Sequence, residues 1–182
     1  MNQIASKGQL RMSLLRWMLF TVPLIILLGF LSGQIAGSGE ENRWFNALIK
    51  PDAQPPGWLF GVAWTILYAM MGTAIAMILH ARGAPMRGVA IVLFLIQLAL
   101  NLCWSPLFFG MHQVSAALWL LVIIFLTALG STVLFGRIRK AAAWLMVPYL
   151  AWLCFAGILN MQIDRLNPGA ETLVVPAARS QI

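Results

Sequence analysis

The chain has 182 residues, of which 61% are apolar and only 9% charged, against about 25% charged in soluble domains, so a soluble globular fold is excluded. Its net charge of +7 does not mark a nucleic-acid binder, because the basic residues flank apolar runs instead of forming one face interleaved with aromatics. A bilayer-spanning helix needs about 20 apolar residues, and the runs here are long enough for that and too many to form one buried core.

Five spans are expected, over residues 14–33, 57–80, 87–108, 113–135 and 142–163. The prediction is therefore an all-α integral membrane protein: a single five-helix transmembrane domain over residues 1–182, with flexible ends at 1–12 and 167–182 and a long lid loop at 34–56. The first run follows Lys7, Arg11 and Arg16 like a signal peptide, but it continues to Gly33 and further spans follow, which favours a retained helix. It carries Pro23, tolerated in a membrane helix as a kink, and then Gly29, Gly33 and Gly37, whose spacing permits close helix approach, between copies or within one chain. The short turns A-R-G-A-P-M-R and F-F-G-M-H-Q make spans two and three, and spans three and four, antiparallel neighbours. Cys103 and Cys154 both fall within apolar spans and read as small hydrophobes; two lone cysteines make no metal site.

The first connection, W-F-N-A-L-I-K-P-D-A-Q-P-P-G-W, is the long polar one. Pro51, Pro55 and Pro56 deny it a continuous helix while limiting it to a few conformations, so it reads as a semi-rigid lid. Trp58 suits a headgroup-level belt, whereas Trp44 and Trp64 are expected to line a cavity. Charge orients the bundle. Lys7, Arg11, Arg16, Arg82, Arg87, Arg137, Arg139 and Lys140 share one side, and all five acids lie opposite with Arg43, Lys50, Arg165 and Arg179. By the positive-inside rule the N-terminus is cytoplasmic, and the lid and C-terminus lie outside.

Amides in hydrocarbon are costly unless paired. Gln97 and Asn101, four apart on span three with Trp104 below, read either as a clamp between helices or as a polar point in a cavity. Pro106 should bend the end of that span. Span five repeats the theme with Trp152, Ala156 and Asn160 at steps of four, the small Ala156 leaving space. Inward tryptophans from three spans, Trp64, Trp104 and Trp152, would make an aromatic-walled slot for a planar ligand. No nucleophile–base–acid set, phosphate loop or membrane-embedded acid is present to suggest catalysis or proton-coupled pumping.

The segments W-F-N-A-L-I-K-P with P-P-G-W, W-T-I-L-Y-A-M-M-G, Q-L-A-L-N-L-C-W-S-P-L-F-F-G and V-P-Y-L-A-W-L-C-F-A-G-I-L-N, in this order over residues 44–160, resemble the translocator protein / tryptophan-rich sensory protein family, in its bacterial form. The resemblance implies a homodimeric five-helix bundle in the bacterial cell envelope. The first loop would close a cavity for porphyrins, haem and isoquinoline-type ligands, with no obligatory cofactor, and the ligand would enter from the lid side. It places the cavity on Phe45, Trp64, Asn101, Trp104, Trp152 and Ala156. Phe45 stands where several members have tyrosine, so a hydroxyl contact made there would be absent; Met161 stands at the tyrosine position of the sterol-recognition segment while Arg165 remains, so sterol binding through that segment is not expected. His112, on the lid's side, is a surface histidine or a cap for a porphyrin. Receptor or sensor is the leading function; passive porphyrin transport and light-dependent porphyrin degradation are the alternatives.

Overall fold

A computed structural model describes residues 6–174, apart from the Lys7 side chain. Five helices are long and apolar enough to cross a membrane, and no strand occurs among the described residues. They are α1 (Lys7–Ile35), α3 (Gly57–His80), α4 (Arg87–Ser105), α5 (Val114–Ile138) and α6 (Lys140–Leu166), and the lid contributes a one-turn helix, α2 (Arg43–Ala47). The protein is an integral, multi-pass membrane protein.

The helix ends follow local chemistry. Ser6 opens α1 with a capping box, its hydroxyl accepting from Gln9 N while the Gln9 side chain accepts from Ser6 N. Residues 7–12, expected within a flexible end, are thus helical. Arg87 closes α3, its Nε and Nη2 donating to the carbonyls of Ile78 and Leu79 at 3.0 and 2.8 Å, where the negative end of the helix dipole favours a cation. Pro106 does not end the third span. The chain continues as a π-helical turn, Pro106–Gly110, closed by Met111 N donating to Pro106 O at 2.9 Å, which widens the helix and turns Phe108 and Phe109 toward the lid.

Around the bundle the order is α1, α3, α6, α5, α4, with α4 returning to α1. Spans two and three, expected as neighbours, are a partial miss: α3 packs chiefly on α1 and α6 and touches α4 sparingly. A short turn holds helix ends together but does not oblige the helices to stay in contact along their length, and their divergence makes room for a central cavity. The glycines of α1 are used inside the chain. A Cβ on Gly29 would collide with the Tyr68 ring, and one on Gly33 would stand 2.9 Å from Ser38 Oγ. Backbone of α1 also comes close to α3 at Gly72, where a Cβ would sit 2.7 Å from Val22 Cα. There the Thr21 hydroxyl, buried at 5% exposure, shares its proton between Gly72 O at 2.7 Å and Trp17 O at 2.9 Å. With little apolar driving force between helices in lipid, such close packing and hydrogen bonding carry association.

The tail was expected to be peripheral from Asn167, and residues 167–171 are instead tied to the lid. Asn167 Nδ2 donates to Ile49 O and its Oδ1 accepts from Ile49 N, both at 2.8 Å. Trp44 Nε1 donates to Ala170 O at 2.9 Å. Ser115 at the start of α5 donates from its N to Glu171 and from its Oγ to Asp164, each at 3.0 Å, so two carboxylates meet a helix N-terminus. Pro176 and Arg179 lie outside the described residues.

Candidate functional site

Between the helices and beneath the lid is a cavity of about 660 Å³, within the roughly 300–1,000 Å³ usual for ligand pockets. All six residues picked from the sequence border it: Phe45 from α2, Trp64 from α3, Asn101 and Trp104 from α4, and Trp152 and Ala156 from α6. They converge because each occupies the inward stripe of its helix, and because the aromatic rings hold one another. Trp64 packs edge-on to Trp152 at 6.3 Å between centroids, Phe60 packs edge-on to Trp152 at 5.8 Å, and Trp64 stacks on Tyr68 at 5.1 Å. On the far wall Trp104 stacks on Phe108, four residues on, at 5.0 Å and 14°, as positions one turn apart on a helix can. Ala156 has no bulk to fill its part of the wall, which leaves space facing Trp152.

The amides of α4 serve as clamp and lining together. Tyr68 OH donates to Asn101 Oδ1 at 3.0 Å, Asn101 Nδ2 donates to Tyr149 OH at 3.1 Å, and Tyr149 OH donates to Gln97 Oε1 at 3.0 Å. This buried chain joins α3, α4 and α6, and only Asn101 of the two amides also borders the cavity. A primary amide offers two N–H donors and two lone pairs on oxygen, so Asn101 keeps capacity for a ligand. Trp104 Nε1 and Asn160 Oδ1 are buried without a partner, and both residues line the cavity.

The lid forms the roof through residues including Phe45, Lys50, Gln54, Pro55 and Pro56. Lys50 Nζ sits 4.8 Å over the Phe45 ring, a cation–π contact. Glu40 Oε1 accepts from Gly57 N at 3.1 Å, fastening the start of the lid to the start of α3. Trp44, expected in the cavity, is buried at 4% exposure under the lid and outside the lining. It is held there by its bond to Ala170 and by His112, stacked on it at 4.3 Å and 13°. His112 has φ +58°, a left-handed conformation that histidine tolerates better than most residues. It is thus committed to Trp44 and does not line the cavity. Trp58 is 67% exposed, as a belt residue would be.

Sequence reasoning overlooked Tyr68 and Tyr149 as polar partners, although each lies on its tryptophan's stripe, four after Trp64 and three before Trp152. It also overlooked the contribution of Phe60 and Phe108. The tail's bonds to the lid have no local signal, since Asn167 and Ile49 are 118 positions apart.

Fold and site together define a polytopic membrane protein with a lidded, tryptophan-walled cavity between its helices. The profile of the TspO/MBR family matches residues 21–166, and the chain belongs to that family. It is 40% identical over 148 residues to the tryptophan-rich protein TspO of Chlorobaculum tepidum, covering 81% of this chain and 93% of that one. It is 38% identical to the human translocator protein over 144 residues, 78% and 85% of the respective chains. With the tryptophan-rich sensory protein of Cereibacter sphaeroides it shares 36% over 128 residues, 70% and 79%.

Proposed function

We propose that the protein is a membrane receptor and sensor for planar tetrapyrroles, porphyrin or haem, which lie in the lidded cavity and compete there with isoquinoline-type ligands. The observation that carries the reading is the convergence of Trp64, Trp104 and Trp152 from three helices on one cavity under the lid. Stacking adds about 0.5 to 1.5 kcal/mol per aromatic pair beyond apolar burial, and Asn101 can supply one orienting hydrogen bond worth about 1 kcal/mol. The names of the relatives, sensory protein and translocator protein, accord with a ligand-responsive membrane role. Among the described lining residues there is no histidine, cysteine or methionine, and the Tyr68 hydroxyl is engaged by Asn101. The lining therefore suits recognition of the macrocycle by its faces, not iron ligation.

Saturable quenching of tryptophan fluorescence by a soluble porphyrin, in the dark and without change to the porphyrin, is the expected result. Metal-free porphyrin and haem should bind within about threefold of each other, since iron coordination otherwise contributes a large, ligand-specific term. A chemically altered tetrapyrrole would point to degradation, and protein-dependent flux between vesicle compartments would point to transport.

The same reading places the N-terminus in the cytoplasm and the lid outside, in a bacterial envelope membrane, with the protein paired as a homodimer. Charge motivates the first part. For the second, Gly29 is spent within the chain against Tyr68, and the exposed face of α4, with Val92, Ile96 and Cys103, is offered to a partner copy. Thiol chemistry tests both. A cysteine at Ala53 in the lid should be labelled from outside and one at Gly83 from the cytoplasm. Mild oxidation should give a covalent dimer that Cys103→Ser abolishes; labelling of both sites from one face, or a crosslink through Cys154 alone, would contradict these assignments.

A further inference from the structure

The lid is fastened at Glu40, Trp44 and Ile49. Glu40 holds its start to Gly57, Asn167 holds Ile49 with two hydrogen bonds, and Trp44 is buried and bonded to Ala170. A ligand displacing this part of the roof would have to break these contacts. The flank between α1 and α3 is different. Its lower limit is the close contact of Gly29 with Tyr68, and its upper limit is the contact of Glu40 with Gly57. Between these limits Gly61 borders the cavity, is exposed, and has no heavy atom within 4 Å of where its Cβ would stand, while Trp58 and Val62, three before and one after it on α3, are exposed at 67% and 47%. Opposite it on α1, Phe30, 45% exposed, and Gln34, exposed, also border the cavity. Cavity-lining residues this accessible, on two helices whose neighbouring positions are exposed, are where an opening would lie.

We propose that this opening is a lateral portal, through which amphipathic planar ligands pass between the bilayer and the cavity while the lid stays closed. Gly61 lies four residues into α3, about 6 Å below the helix start at 1.5 Å per residue. That depth puts the portal beneath the headgroups on the lid side, where the amide of Gln34 meets the polar edge of a ligand whose rings remain in hydrocarbon. The bilayer concentrates such ligands, and a slot edged by glycine offers backbone and no side chain to a flat ring passing edge-on. The inference rests on the cavity being the ligand site.

The test uses the full chain reconstituted in phosphatidylcholine vesicles, with stopped-flow tryptophan quenching by two probes: a metal-free dicarboxylic porphyrin dissolved in the bilayer, and a sulfonated porphyrin confined to water. Because Gly61 has open space at its Cβ, Gly61→Phe can plug the slot without displacing packed atoms. The expected result is that Gly61→Phe slows both entry and exit of the bilayer-dissolved porphyrin by at least about tenfold, as a closed gate does. Gly61→Leu should slow it less, Asn167→Ala should leave the rate within about twofold, and the sulfonated porphyrin should enter more slowly than the bilayer-dissolved one throughout. Rates unaffected by either Gly61 variant, acceleration by Asn167→Ala, or equally fast entry of the aqueous porphyrin would overturn the portal in favour of the lid. Absence of saturable quenching by the unsubstituted protein would overturn the cavity reading, and the portal with it.

Discussion

Replacing Ala156 by Leu is expected to weaken porphyrin binding by roughly ten- to hundredfold, the equivalent of about 1 to 3 kcal/mol of overpacking. Ala156 borders the cavity one turn from Trp152, so the added carbons occupy the volume a ligand ring would fill, and the surrounding aromatic wall is already engaged in edge and face contacts. The gain in apolar area is small beside that. Titration with a soluble porphyrin measures it, with helicity and oligomeric state checked on the same samples. Asn101→Leu is the informative comparison. It removes one polar contact to a ligand, but it also leaves the Tyr68 hydroxyl without its acceptor and Tyr149 without its donor, so its larger effect should be on stability, about 1 to 3 kcal/mol. Unchanged affinity in both Ala156→Leu and Trp152→Leu would place the ligand elsewhere and return the tryptophans to packing and anchoring.

Gly72→Leu should be the most damaging single change to the fold, with a loss of about 3 to 5 kcal/mol. A Cβ there would meet the α1 backbone itself, at 2.7 Å from Val22 Cα and 3.0 Å from Val22 N. Backbone cannot rotate aside as a side chain end can, so the two helices must part. Parting them also breaks the bond from Thr21 to Gly72 O and leaves the Thr21 hydroxyl only its bond to Trp17 O within α1. Thermal unfolding in a fixed lipid or detergent environment measures the loss. Gly61→Ala provides the contrast, because its Cβ meets nothing; its stability should stay within about 0.5 kcal/mol of the parent.

The two glycines show what the sequence can and cannot disclose. Gly61 and Gly72 lie on the same apolar span, and no property of the string distinguishes one that faces an open slot from one that presses against a backbone. Periodicity and length were enough to reveal the five spans, because a helix in lipid must satisfy its own backbone and run about 20 apolar residues. Inward Trp104 and Trp152 were legible for a related reason: an aromatic at a fixed step from an amide marks one face of a helix, and a face with an amide in hydrocarbon must turn inward; Trp64, on a span without an amide, was legible from lying more than a turn below the start of its helix. Trp44 escaped that logic. It sits on a lid whose position is decided by Asn167, Ala170 and His112, residues that read individually as tail and loop. The spatial order of the helices was only partly legible, since a short turn between α3 and α4 specifies that two ends meet and nothing about the rest of their length.

The fastening of the lid also sets an order of events during synthesis. Trp44 and Ala170 are separated by 126 positions, which at about 5 to 20 residues per second is roughly 6 to 25 seconds of elongation. Throughout that interval the lid has been made but Ala170 has not, and Asn167 comes only at its close, while the helices that wall the cavity are inserting one after another. Closure of the roof is therefore a terminal step in biogenesis. A chain halted before Asn167 would carry all the elements of the aromatic wall under a lid held by Gly57 and His112 but lacking its bonds to Asn167 and Ala170.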